Sequence, residues 1–186
     1  KGFKAELDKL STPKAKADAI ATRLNKSLSE KWDENPSYYK KFSDKIIEII
    51  EEYKKRRIDE KEYLMNFEKL LSDYQKGTPD FIHIPESLKN DQNAQAYYGV
   101  VNDVVMEVNE SGYDEEIMAQ LARELESVAD KNVKVDYKNN IDVHRRMEQE
   151  WDDILFEYKK KYGYNLDNDR IDRIIANLKA VTFKRY

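Results

Sequence analysis

Phe42-Ser43-Asp44-Lys45-Ile46-Ile47-Glu48-Ile49-Ile50-Glu51-Glu52-Tyr53-Lys54-Lys55-Arg56-Arg57 is the stretch whose reading decides the fold class. Phe42, Ile46, Ile49, Ile50 and Tyr53 recur at three- and four-residue spacing, which puts them on one face of a helix. The stretch closes on four cations, a composition favoured at the negative end of a helix dipole. It contains neither Gly nor Pro, and the rest of the chain is nearly as poor in them. The 186 residues include 5 Gly and 4 Pro, about 5% against a usual share near 12%. Charged residues reach 38%, against about 25% in an average domain, as expected of helices that each show a wide face to water. So few turn formers argue against β-sandwiches, barrels and Gly-rich nucleotide-binding folds. A chain of this length makes one domain or two small ones and buries enough surface to fold without staples.

Working outward from this helix gives the remaining elements. Upstream, Ser11-Thr12-Pro13 is a helix start, with a hydroxyl cap and Pro in the first turn. The stripe Ala17, Ile20, Leu24, Leu28, Trp32 follows, and Asn35-Pro36 separates it from the central stretch. Downstream, Asp59 caps a helix through Tyr63, Phe67, Leu70, Leu71 and Tyr74 that stops at Gly77. The break from Gly77 to Pro85 carries an alternating piece, Phe81-Ile82-His83-Ile84. A fourth helix spans roughly Asn90 to Val108, Ser111-Gly112 is a turn, and Asp114 caps a fifth through Ile117, Leu121, Leu125 and Val128. Lys131 to Tyr137 alternates and reads as extended. A long sixth helix carries Val143, Met147, Trp151, Ile154, Leu155, Tyr158 and Tyr162, and ends at Gly163. The last starts at Leu166 or Asp167 and carries Ile171, Ile174, Ile175, Leu178 and Val181. The expected architecture is all-α: a bundle of about seven helices with short extended connectors. It is read as a single domain over 1–186, cut from a longer chain, with a seam at 77–86 between two helical subdomains.

The search for chemistry is mostly exclusion. The chain has no Cys, so disulfides, thiol nucleophiles and Cys-based metal sites are absent. Its longest apolar runs fall far short of the roughly 18 residues of a membrane span, and Lys1–Leu10 lacks the apolar core of a signal peptide. No membrane partner is expected. The glycines at 2, 77, 99, 112 and 163 are never close enough for G-x-x-x-x-G-K-S/T or G-x-G-x-x-G, which need backbone amides crowded onto a phosphate. The two histidines, His83 and His144, lie in different segments, and neither completes a Glu-x-x-His pair. On the sixth helix His144 and Glu148 are four apart and predict a local pair. Pro79-Asp80 with Glu157-Tyr158-Lys159 can be written as a split nuclease motif, but Glu157 and Lys159 diverge on a helix, and the reading is rejected. No Ser sits in a G-x-S-x-G turn. No catalytic residue, metal ligand or cofactor-binding residue is assigned, and no cofactor is expected for this segment.

Contacts with other molecules are the remaining possibility. Lys54-Lys55-Arg56-Arg57, Arg145-Arg146 and Lys159-Lys160-Lys161 are basic clusters with tyrosines nearby, the residue types that bind phosphate backbones in a salt-dependent way. Two of the three close helices, where cations are favoured in any case. Lys54, Lys55, Arg56, Arg57, Arg145, Arg146, Lys159 and Lys160 are therefore candidate DNA or partner contacts. Residues 78–136 hold 4 basic and 13 acidic side chains, an acidic panel between two nearly balanced segments. Of the thirteen tyrosines, the adjacent pairs Tyr38-Tyr39 and Tyr97-Tyr98 are each expected to send one ring away from the core, as a partner anchor.

Leu121-Ala122-Arg123-Glu124-Leu125, then Asp130-Lys131-Asn132-Val133-Lys134-Val135-Asp136-Tyr137, then a long helix ending Lys160-Lys161-Tyr162-Gly163-Tyr164, resembles the C-terminal helical region of type I restriction enzyme R subunits. The family pattern reads roughly ARELxxxVRKNVTVDWT, a helix, and KYGYP. Tyr137 stands where the pattern has Trp, and Asn165 where it has Pro. Tyr39-Lys40-Lys41-Phe42-Ser43 and Ala96-Tyr97-Tyr98 are similar upstream, so the resemblance spans most of residues 15–165. It implies a parent chain that is an ATP-dependent DNA translocase and endonuclease, bacterial and cytoplasmic, using ATP and Mg through domains N-terminal to this one. It further implies a non-catalytic module that docks this engine onto the methyltransferase–specificity subunits, reaching DNA through the parent complex. The alternative is a module that contacts the DNA backbone beside the motor domains. Val133, Val135, Asp136, Tyr137, Tyr162, Gly163 and Tyr164 match the family motif and are expected to be structural. The acidic side chains Glu148, Glu150, Asp152 and Asp153 make the sixth helix more acidic than the family usually shows.

Overall fold

Side-chain caps set most of the helix starts. Thr12 accepts a hydrogen bond from the Ala15 N–H at 3.1 Å and Pro13 opens the helix Pro13–Lys31, α2. Asp59, accepting from Glu62 at 2.8 Å, starts Glu60–Lys76, α4. Asp91 starts Gln92–Met106, α5. Asp114, accepting from Glu116 and Ile117, starts Glu115–Asn132, α6. Asn140 caps Ile141–Tyr162, α7, and Asp167 caps Asn168–Arg185, α8. Pro36 opens Pro36–Lys54, α3. The computed structural model describes residues 2–77, 79–109, 112–134 and 136–186. Among these the chain is all-α, with eight α-helices, three single 3-10 turns and no strand.

The helix not expected is Gly2–Asp8, α1. None of its seven residues is fully buried, and Phe3 and Leu7 alone make too short a stripe to mark it; the Arg23 guanidinium lies over the Phe3 ring, 4.4 Å from the ring centre. The two alternating pieces are not strands. Lys131 and Asn132 complete the last turn of α6, because Asn132 is buried and its amide donates to the Val128 carbonyl at 2.8 Å. Asp136 then turns left-handed (φ 65°) and Tyr137–Asn139 forms one 3-10 turn. Residues 81–84 also run without helix or strand, with Ile82 buried and His83 exposed. Ser111 and Val135 lie outside the described residues.

Arg56 carries a conformation that its side chain disfavours. After α3 the Arg57 N–H donates to the Glu52 carbonyl (2.9 Å) and the Arg56 N–H to Tyr53 (3.0 Å), with Arg56 at φ 55°. This is the Schellman arrangement, whose left-handed position is usually Gly. An L side chain there costs about 1–2 kcal/mol, and Gly returns about 0.5–1 kcal/mol of it in chain entropy. Arg56→Gly is therefore expected to stabilise by about 0.5–1 kcal/mol, read as a small rise in the urea midpoint at unchanged slope.

The chain divides into two compact units: Lys1–Trp32 with Tyr38–His83, and Asp33–Ser37 with Ile84–Tyr186. In the first, α2 packs on α4 around Ile20, Leu24, Phe67 and Leu70. Phe42 of α3 is fully buried, edge-on to Tyr74 and Phe81. In the second, α5 packs on α6, α6 on α7, α7 on α8, and α8 returns to α5. These four helices share a core built on Tyr97, Val101, Met118, Leu121, Leu125, Trp151, Leu155, Ile174 and Leu178.

The central place of α5 overturns one expectation. Tyr97 and Tyr98 are both buried, so neither ring is an outward anchor. α5 has covered faces toward α6 and α8, and at Gly99 it is approached by Ser37. Tyr38 and Tyr39 are partly buried and meet edge to face, with ring centres 5.3 Å apart.

Burial has a consequence at high pH. It pushes the hydroxyls of Tyr38 and Tyr164 up to about 12, and it also raises those of Tyr63, Tyr97, Tyr98, Tyr137, Tyr158 and Tyr186. The folded chain then holds protons that the unfolded chain loses near pH 10. This stabilisation is complete below about pH 10 and lost as the pH rises through about 12. Spectrophotometric titration, with the unfolded chain ionising near pH 10 as the reference, reads the difference. The buried set should ionise later, in step with the loss of helical circular dichroism.

Candidate functional site

Thr182 organises the end of the second unit. It is 1% exposed, and its hydroxyl donates to the Leu178 carbonyl one turn back at 2.7 Å. With that single proton used, Tyr97 of α5 is the donor in the hydrogen bond between the Tyr97 and Thr182 hydroxyls. The Thr182 carbonyl accepts from the Tyr137 hydroxyl at 3.0 Å. Three elements thus meet on one residue, and the left-handed Asp136 aims Tyr137 into place; its carboxylate accepts from the Asn139 amide at 2.7 Å.

Beside this hub lies a cleft of about 220 Å³, lined by Tyr137, His144, Met147, Trp151, Lys179, Ala180, Thr182 and Phe183. Its floor is Trp151, fully buried and donating from Nε1 to the Leu125 carbonyl at 2.8 Å. Its mouth is Phe183, 54% exposed, with the Lys138 ammonium 4.8 Å from the ring centre and 6.0 Å from that of Tyr137. Ile141, one turn before His144 on α7, is 64% exposed. The expected His144–Glu148 pair is not what forms. The His144 ring faces Tyr137 at 6.2 Å, and Glu148 bridges to Lys179 of α8.

Each basic cluster has its own local setting. Lys55 pairs with Glu51 (3.0 Å) and Arg57 with Glu52 (2.7 Å), while Lys54 and Arg56 close α3. Arg145 is 4.0 Å from Asp142, and Arg146 donates from Nε to the Asn132 side chain at 2.8 Å, tying α7 to the end of α6. Lys159 and Lys160 sit in the last turn of α7, about 20 Å along the helix from the arginine pair. Of the motif residues, Val133 closes α6 through its N–H to Ala129 and packs on the core. Tyr162 stacks obliquely between Tyr158 and Tyr164, and Gly163 takes the left-handed position that ends α7. Tyr164 is buried.

Among the described residues no group of three or more His, Asp or Glu is placed to hold a metal ion. No helix among them is long and apolar enough to cross a membrane.

A family model described as the C-terminal region of type I restriction enzyme HindI endonuclease subunit-like proteins matches residues 1–182. The chain belongs to this family. No curated protein and no solved structure shows significant similarity to it. The match runs through α1 and all but the end of α8, so it takes in the whole cleft wall except Phe183. Lys138, Ala180, Thr182 and Phe183 escaped the sequence reading. The one signal for Phe183 was its place: two residues beyond Val181, it falls on the opposite side of α8 from the Ile174–Leu178–Val181 stripe, an aromatic ring on a water-facing side.

Proposed function

We propose that this region is a non-catalytic assembly module that docks the restriction subunit, with its ATP- and Mg-dependent motor and nuclease, onto the methyltransferase–specificity core. The observation that supports this most is the pairing of an almost complete family match, as the C-terminal part of an endonuclease subunit, with the apolar cleft at the end of the second unit. Large apolar side chains left open on a domain surface mark protein–protein contacts. The test is hydrogen–deuterium exchange on the intact endonuclease subunit, alone and with the core. Added protection is expected within residues 137–186; unchanged exchange there would count against docking through this region.

The alternative, direct contact with the DNA backbone, is less well supported. Lys55, Arg57 and Arg146 are engaged within the fold, and cations at the ends of α3 and α7 serve the helix dipoles.

A further inference from the structure

We propose that the Tyr137–Trp151–Phe183 cleft is the seat of the docking contact, and that it takes a large apolar side chain of the methyltransferase–specificity core from a segment that also carries carboxylates. This rests on the assembly reading above and adds the site and the chemistry of its occupant. The size of the cleft argues for a side chain. At about 220 Å³ it lies below the roughly 300–1,000 Å³ of cofactor and small-molecule pockets. Its walls are rings and aliphatic chains, and the polar groups at its base are already used: the Trp151 N–H on Leu125, the Tyr137 hydroxyl and the Thr182 hydroxyl on carbonyls. The base offers a polar ligand no free group, whereas an apolar group loses nothing on entry.

The charge of the rim sets the flanks. Of the acids near the rim, Glu148 is matched by Lys179, Asp142 lies 4.0 Å from Arg145, and the Asp136 carboxylate accepts from the Asn139 amide. Lys138 has its ammonium over the Phe183 and Tyr137 rings with no carboxylate partner among the described residues. This ammonium at the mouth of the cleft suits a carboxylate beside the inserted side chain. Phe183 and Ile141, each more than half exposed, extend the apolar surface to either side, and a ring at a pocket mouth is the kind of residue on which interface energy concentrates.

The experiment measures the affinity of the full-length endonuclease subunit for purified methyltransferase–specificity core. The variants are Phe183→Glu, Lys138→Glu, the control Phe156→Glu, and a deletion of the whole region. Phe156 is also exposed on α7 but does not line the cleft. The proposal expects Kd to rise at least tenfold for Phe183→Glu and several-fold for Lys138→Glu, with Phe156→Glu within twofold of wild type. If the deletion abolishes binding and Phe183→Glu binds as wild type, the cleft assignment is overturned and the assembly reading stands. If the deletion binds undiminished, the assembly reading itself fails. A photo-crosslinking residue at position 183 guards against a folding artefact. A crosslink to a core subunit supports the proposal, and a crosslink only to DNA or to a second copy of the chain overturns it.

Discussion

Trp151→Ala is expected to lower the unfolding free energy by about 3–5 kcal/mol, the range for truncating a fully buried large aromatic residue. Trp151 is 0% exposed and belongs to the core shared by α5 to α8. Its Nε1–H donates to the Leu125 carbonyl at 2.8 Å, joining α7 to α6. Removing the ring opens a cavity beneath the existing cleft, where α8 is still held through Thr182 to Tyr97 and Tyr137 and has little room to collapse. Trp151→Phe separates the two contributions: it keeps most of the packing and loses the hydrogen bond, at a cost of about 1–2 kcal/mol. Urea unfolding followed by circular dichroism reads both. Equal midpoints for Trp151→Ala and wild type would show that this core is not the one described.

Gly99→Val is expected to cost about 3 kcal/mol, the upper end of overpacking penalties. Helix propensity alone makes a larger residue at a mid-helix glycine favourable, by up to about 1 kcal/mol for Ala. The sign is reversed by a neighbour. A Cβ at position 99 would lie 2.6 Å from the Cβ of Ser37 and 3.1 Å from its Oγ, and Ser37 is itself buried at the start of α3. Gly99→Ala should therefore destabilise as well, and pairing it with Ser37→Gly should recover most of the loss. Gly99→Ala more stable than wild type would mean that the 33–37 segment does not sit on α5.

That contact shows what a sequence carries and what it does not. Helix starts were legible at Thr12, Asp59, Asp114 and Asp167 because a cap is a local event, one side chain bonding an N–H two or three residues on. Helix ends at Gly77 and Gly163 were legible for the same reason, since only glycine takes the left-handed cap without cost. The short helix at Gly2–Asp8 was not legible, because only Phe3 and Leu7 are partly buried and a pair that short leaves too weak a periodic signal. The alternating Lys131–Tyr137 misled because Asn132, a residue that usually marks turns, is buried under α7 and extends α6 instead. Tyr98 was misplaced because one apolar stripe per helix is the rule for surface helices, whereas α5 is covered on several sides. The cleft was the least legible of all. It depends on a ring at position 137, a threonine at 182 and an aromatic at 183 meeting across 46 residues of chain, and no local spacing encodes such a meeting.

We propose that this helical region joins the endonuclease subunit to its methyltransferase–specificity core. The most direct measurement is the dissociation constant of that core for the intact endonuclease subunit and for the same subunit lacking these 186 residues, with ATP hydrolysis by each preparation confirming that the remainder is folded. Docking through this region predicts unchanged ATP hydrolysis and a loss of binding of at least a hundredfold in the shortened subunit. Equal dissociation constants for the two would contradict it.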